Sequence, residues 1–125
     1  MDTNLVLRDG TADLTVDATL TAVTVGPMVK PLWLHVLVPS VSSGDVLDVE
    51  LEFCLAATPT TEVYNMNMKQ IVAAGHYAIP FFMAPPCTSL QVKLNVTADS
   101  TVALSMGGVK VWIDNANRYD GPYDN

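Results

Sequence analysis

Three carboxylates lie at every second position of one segment: Asp48, Glu50 and Glu52. Alternate residues of a β-strand share a face and lie about 6.5 to 7 Å apart, within the range of roughly 5 to 9.5 Å that separates the paired carboxylates of glycosidases. The solvated face of an antiparallel strand has the same pattern, and Lys93 is its expected cross-strand partner. We favour the solvated face, because no aromatic cluster in the sequence suggests a sugar platform. A carbohydrate-binding or hydrolytic sandwich remains the alternative.

The histidines and cysteines are few and widely spaced. His35 lies in an apolar segment and is expected to be a hydrogen-bonded core or interface residue, whereas His76 follows a glycine and is expected in an exposed loop. No ligand motif such as C-x-x-C or H-x-H is present, so we predict no metal site and no other cofactor. Cys54 and Cys87 are expected to be unpaired thiols, although spacing alone leaves a disulfide open.

The sequence also lacks the motifs of nucleophilic and nucleotide chemistry. No serine lies in a G-x-S-x-G elbow, and there is no phosphate-binding loop. Gly107 and Gly108 are better explained as the turn of a hairpin. We therefore predict no catalytic residues and a protein that is not an enzyme.

Composition narrows the partners of the chain. Its 125 residues suit one domain, and 50% of them are hydrophobic while only 15% are charged. Few charges on a small domain suggest that a protein partner covers part of its apolar surface. A net charge of −7 without a basic cluster argues against nucleic-acid binding. No signal peptide and no apolar run of membrane-spanning length is recognised.

The segments that contain these residues are predicted to form β-strands. Residues 45–55 and 90–96 alternate between apolar and polar side chains, which is the period of a half-buried strand. Less regular segments are also expected to form strands, with turn residues between them. Those segments are residues 5–7, 11–16, 19–25, 31–38, 66–73, 76–83, 101–106 and 109–113. The pattern predicts an all-β fold, a two-sheet antiparallel sandwich that is jelly-roll-like.

Residues 1–114 are assigned to this sandwich and residues 115–125 to a polar C-terminal arm. The arm either frays or orders on a neighbouring molecule, with its two tyrosines as anchors. Other interface candidates are a tryptophan on a strand that is apolar on both faces, two methionines on one strand face, and an apolar segment that ends in prolines. The candidate interface residues are Trp33, Met66, Met68, Phe81, Phe82, Met83, Tyr119 and Tyr123.

Residues 7–15 read L-R-D-G-T-A-D-L-T, and residues 71–77 read I-V-A-A-G-H-Y. With the apolar strand at 31–38, the acidic strand at 45–55 and a closing valine-rich hairpin, this course resembles small β-sandwich virion proteins of tailed bacteriophages. The resemblance extends to about residue 113. The segment at 81–86 and the arm at 115–125 depart from it.

The resemblance implies a capsid decoration (cement) protein on the exterior of the phage head, bound to the major capsid protein. It also implies a homo-oligomer, with a trimer favoured and a dimer as the alternative. The family supplies no catalytic residues. A tail, baseplate or other low-copy virion component is a second interpretation, and a carbohydrate-binding module is a third.

Overall fold

The computed structural model describes residues 5–25, 32–42, 44–58, 60–83, 86–97 and 106–114. Nine strands form within these ranges, and every pairing between them is antiparallel. The strands are β1 (Leu5–Asp9), β2 (Ala18–Thr19), β3 (Val23–Thr24), β4 (Leu32–Val38), β5 (Val46–Cys54), β6 (Glu62–Asn67), β7 (Gly75–Phe81), β8 (Ser89–Thr97) and β9 (Lys110–Asp114).

The strands form two sheets. Sheet I has the order β1-β9-β4-β7, and sheet II has the order β2-β8-β5-β6, with β3 also paired to β8. Among the described strands, β5 and β6 are the one consecutive pair that hydrogen-bond to each other, because most connections pass from one sheet to the other. Two layers of four and five strands connected in this order, with β2 and β3 both paired to β8, form a jelly-roll-like arrangement. The predicted all-β, two-sheet sandwich is confirmed.

The core lies between the sheets and follows from the period-two pattern of the longest strands. Leu47, Val49, Leu51 and Phe53 of β5 are buried. They pack with the buried residues of β8 and with those that sheet I turns inward. The inward-facing residues of β4, β8 and β9 are Leu34, Val36, Val38, Leu90, Val92, Leu94, Val111 and Ile113.

Three predicted strands differ from the structure. The strand predicted at 19–25 is broken, with Ala18–Thr19 in β2 and Val23–Thr24 in β3, and residues 101–105 of the strand predicted at 101–106 lie outside the described residues. Residues 11–16 form no strand, and Leu14 makes only an isolated bridge to Met106. The Arg8 guanidinium donates to the carbonyl oxygens of Ala12 and Asp13, which holds this stretch as a loop. The strand predicted at 66–73 is β6 instead, which begins four residues earlier.

The hairpin predicted at Gly107 and Gly108 is wrong, and the segment around Ala74 is a loop that connects the two sheets. The strands on either side of Ala74 belong to different sheets, since β6 pairs with β5 and β7 pairs with β4. β9 follows Gly107 and Gly108, but its two edges are occupied by β1 and β4. In this fold most connections between consecutive strands lead to the opposite sheet.

Candidate interaction surfaces

The outer faces of the two sheets differ in chemistry. The outer face of sheet II carries Asp48, Glu50, Glu52, Asn65, Asn67, Gln91, Lys93 and Asn95. Sheet I presents an aromatic and apolar set instead, which we call the aromatic face. It consists of Val6, Trp33, His35, Leu37, His76, Ala78, Pro80, Lys110, Trp112 and Asp114. The outer face of a sandwich is normally polar because it is in contact with water. An apolar and aromatic outer face is therefore a candidate for contact with a partner.

The centre of the aromatic face is a stack of rings. The His35 imidazole lies on the Trp112 indole with 4.9 Å between ring centroids and 5° between planes. Nδ1 of His35 and Nε2 of His76 are hydrogen-bonded at 2.9 Å, so one nitrogen donates and the other accepts. The Lys110 ammonium lies 5.3 Å from the centroid of the Trp112 ring. His35 is 1% exposed even though it lies on the outer face.

This geometry corrects one prediction. His35 is the hydrogen-bonded histidine that the apolar segment indicated. His76 is in strand β7, half-buried and bonded to His35, and not in an exposed loop as predicted. One signal for this contact was available in the sequence. The segments that form β4 and β7 are both apolar strands, and pairing them could place residues 35 and 76 on the same face.

The ring stack does not have the form of a sugar platform. Sugars bind aromatic side chains that present an open ring face. The Trp112 ring already contacts the stacked imidazole of His35 and the ammonium group of Lys110. The described part of the aromatic face is therefore better suited to a protein surface, which packs against ring edges and aliphatic side chains.

The histidine pair makes stability depend on pH. Burial lowers the pKa of His35 below its ordinary 6.5, and the positive charge of His76 lowers it further, while Asp114 opposes the shift. Burial also lowers the pKa of His76. Since the unfolded chain binds these protons more readily, the stability that the neutral pair contributes is complete above pH 6.5 and is lost as the pH falls below it.

We expect the free energy of unfolding to decrease on acidification from pH 7 to pH 5. Each imidazole contributes at most about 1.4 kcal/mol per pH unit. The variant His76→Gln should show a shallower decrease, because it removes one titrating group and its repulsion of His35. Urea unfolding at pH 7, 6 and 5 measures both. A variant whose pH dependence matched that of the natural chain would contradict the assignment.

A second surface lies at one end of the sandwich, which we call the Phe82 end. It consists of Leu55, Val63 and Phe82, which are 43%, 48% and 59% exposed. Cys54 is paired with Glu62, and the Leu55 N–H donates to the Thr61 carbonyl oxygen, so Leu55 and Val63 lie on either side of this pair along the strands. The Tyr64 hydroxyl donates to the carbonyl oxygen of Phe82 at 3.5 Å. Three large apolar side chains therefore meet water at this end.

The structure separates the candidate interface residues into groups. Trp33 is half-buried on the aromatic face, and Phe82 is exposed. Phe81 and Met83, on either side of Phe82, are buried in the core. Met66 and Met68 pack against the core from β6 and the loop that follows it. Tyr119 and Tyr123 lie outside the described residues. Trp33, Met66 and Met68 are partly exposed and Phe82 is exposed, so these four are the described candidates whose side chains a partner could reach.

The carboxylate strand carries a partly buried ion pair. Lys93 Nζ lies 3.1 Å from Glu52 Oε2, which confirms the predicted cross-strand partner. Glu52 is only 6% exposed, however, so the face is less solvated than predicted at this position. Carboxylate oxygens of Glu50, Glu52 and Glu62 lie within 4.8 Å of one another. Glu62 escaped the sequence analysis because a register shift in β6 brings it onto this face.

Electrostatics at this cluster favour a structural role. Burial raises the pKa of Glu52, and a hydrogen bond with Glu62 raises it further. The ion pair with Glu52 raises the pKa of Lys93. The buried carboxylate is therefore already neutralised by an ammonium group of the same sheet, which is how a partly buried charge is normally accommodated.

Cys54 and Cys87 are both buried and are not joined in a disulfide. Burial raises the pKa of the Cys54 thiol, and the nearby Glu52 carboxylate adds to the shift. A raised pKa keeps the thiol protonated and unreactive. In the described part of the chain, no helix has the length and hydropathy needed to cross a membrane.

Comparison with known proteins gives one informative similarity. No family model matches the chain, and no curated protein matches it. The structure is similar to part of a chain in the solved structure of infectious bursal disease virus, Gx strain, with a TM-score of 0.58 and 12% sequence identity. The match covers 95% of this chain and 34% of the viral chain, so this chain spans about one third of its length.

At this identity the similarity concerns the fold. The chain is a jelly-roll-like β-sandwich, and its fold is similar to that of part of the viral chain. It combines this fold with an aromatic outer face on one sheet and an acidic outer face on the other.

Proposed function

We propose that the chain is a non-catalytic structural protein of a virion, and specifically a decoration protein on the exterior of a tailed-phage head. The observation that carries the proposal is the jelly-roll fold, which the chain shares with part of a chain in a virus structure. Phe82 is the most exposed aromatic side chain of the described residues and lies near the exposed Leu55 and Val63, and we propose that the chain attaches through this end. The proposed partner is the major capsid protein.

The physics of a shell explains how such a protein would act. A protein that binds only the assembled lattice stabilises it by mass action. A rigid sandwich present in many copies multiplies a modest affinity per site into firm attachment. Two stiff, paired sheets with a continuous core meet this requirement without any catalytic group.

Attachment through the Phe82 end gives a direct experiment. Replacing Phe82 with Asp is expected to weaken binding to purified capsids at least tenfold, because a charge then replaces an apolar anchor. Phe82 is exposed, so the domain should remain folded. The matched control is Val72→Asp, which also places a carboxylate at an exposed apolar position. Val72 follows Ile71, which pairs with Leu47 near the start of β5, whereas the Phe82 end adjoins the last residue of that strand. The control substitution is therefore at the opposite end of β5 from Phe82.

Cosedimentation of each variant with capsids lacking this chain measures the effect. Equal binding of Phe82→Asp and the natural chain would refute attachment through this end. The copy number in purified virions tests the wider proposal. A simple ratio to the major capsid protein is expected, whereas a few copies per particle would indicate a tail or baseplate component.

A further inference from the structure

The edge strands of the two sheets differ in how readily they could pair with a further strand. Sheet I ends in β1, which has a bulge between Val6 and Arg8, and in β7, which contains Pro80. Bulges and prolines are common devices that keep an edge strand from pairing with another chain. Sheet II ends on one side in β2 and β3, each two residues long, and on the other side in β6, which has six residues and no proline. Among the described strands, β6 is therefore the least protected edge.

The outer edge of β6 presents backbone groups to a further strand. The Met68 N–H donates to the Val49 carbonyl oxygen, so Met68 directs its N–H towards β5. Successive residues of a strand direct their backbone groups to opposite sides, and the register with β5 is regular from Tyr64 to Asn67. The N–H and C=O groups of Asn65 and Asn67 therefore point away from β5. Both residues are exposed, and no strand within the described ranges pairs with this edge.

The side chains along this edge differ between the two faces of sheet II. On the inner face, Met66 and Met68 pack against the core and remain partly exposed. On the outer face, Glu62 is exposed, and its carboxylate accepts a hydrogen bond of 2.7 Å from the Asn65 side chain. This bond lowers the pKa of Glu62, so the carboxylate is ionised at neutral pH. A strand added at this edge would cover apolar side chains on one face and lie beside a negative charge on the other.

The charge around the edge selects between possible occupants. The outer face of sheet II carries four carboxylates, which are those of Asp48, Glu50, Glu52 and Glu62. The ammonium groups of Lys93 and of Lys69, just beyond β6, reduce the charge of this region to −2. A second copy paired through β6 would join two such acidic faces in one sheet, and each chain has a net charge of −7. Lysine or arginine side chains on the added strand would instead be attracted to the face.

We propose that the outer edge of β6 binds an extended, basic peptide segment of another protein by β-strand addition. The backbone of the segment pairs with Asn65 and Asn67, as in other complexes in which a peptide extends a sheet. Its residues alternate between apolar side chains, which cover Met66 and Met68, and basic side chains, which lie beside Glu62. This binding is a property of the isolated chain whatever protein supplies the segment, so it goes beyond the proposed function.

Amide NMR of the isotope-labelled chain tests the proposal. The probe is a blocked peptide of alternating lysine and valine, about eight residues long to match β6. We expect the amide protons of Asn65 and Asn67 to shift and to exchange more slowly with water, whereas that of Met68, already bonded to Val49, changes little. A matched peptide of alternating glutamate and valine should bind at least tenfold more weakly, because like charges then meet. No binding of the lysine peptide at about 1 mM would overturn the proposal. Binding without slower exchange at Asn65 and Asn67 would overturn it too, since only charge attraction would then be present.

Two variants at Asn67 form a matched pair for the same titration. Asn67→Pro and Asn67→Ala both remove the side chain, but only proline also removes the N–H that faces the outer edge. Proline should weaken binding of the lysine peptide at least tenfold, because a backbone hydrogen bond is lost, and alanine should leave it nearly unchanged. Equal binding by the two variants would contradict strand addition.

The exchange measurement on the natural chain stands even if Asn67→Pro fails to fold. Dimerisation of the natural chain without any binding of the peptide would make a second copy the occupant and would overturn the proposal. Capsid binding by a chain that binds no peptide would leave the proposed function intact.

Discussion

Replacing Phe53 with alanine is expected to lower the free energy of unfolding by about 3 to 5 kcal/mol. Phe53 is the largest fully buried side chain of the described core. The centroid of its ring lies 4.5 Å from the ring centroid of Tyr64 on the neighbouring strand. It lies 5.9 Å from the ring centroid of Phe81 on the opposite sheet. The substitution therefore opens a cavity that removes contacts both within sheet II and between the sheets.

Urea unfolding followed by tryptophan fluorescence measures this change, because Trp33 and Trp112 lie on β4 and β9 of the sandwich. The control is Phe82→Ala, which deletes the same ring at an exposed position and should cost less than about 1 kcal/mol. Similar losses for the two variants would show that the sheets are not held together at Phe53.

Replacing Gly108 with alanine is expected to destabilise the chain by about 2 to 4 kcal/mol. A Cβ at Gly108 would overlap the carbonyl oxygen of Gly10, a backbone atom that cannot turn aside as a side chain can. Gly10 has φ of 81°, a left-handed conformation that favours glycine, so the loop between β1 and β2 has little freedom to move away. The strain falls where β1 meets β9 at the edge of sheet I.

Gly75→Ala is the matched control for this prediction. A Cβ at Gly75 would meet only the Tyr77 side chain, at 3.3 to 3.4 Å, and that side chain can shift. Thermal unfolding should therefore separate the two variants, with a much larger fall in Tm for Gly108→Ala. Equal effects would mean that the close approach of the Gly10 and Gly108 backbones is not required.

The surfaces show where sequence reasoning reached its limit. Lys93 was recognised as the partner of the acidic strand. In a long strand the alternation of apolar and polar residues shows directly which side chains lie on each face. The aromatic face was not recognised, although Trp33, His35 and Trp112 are all visible in the sequence. These residues come from strands β4 and β9, which are separated by more than seventy residues, and no local pattern indicates that the strands pair.

The sequence by itself determined the fold class, the two longest strands and their buried faces. Binary alternation in residues 45–55 and 90–96 fixes which side chains leave water, and this depends only on neighbours along the chain. The tertiary structure decided which strands pair and hence what each outer face contains. It exposed Phe82 between the buried Phe81 and Met83, and it joined His76 to His35. Such contacts arise between distant segments, whose pairing is selected by packing the whole core and not by local propensity.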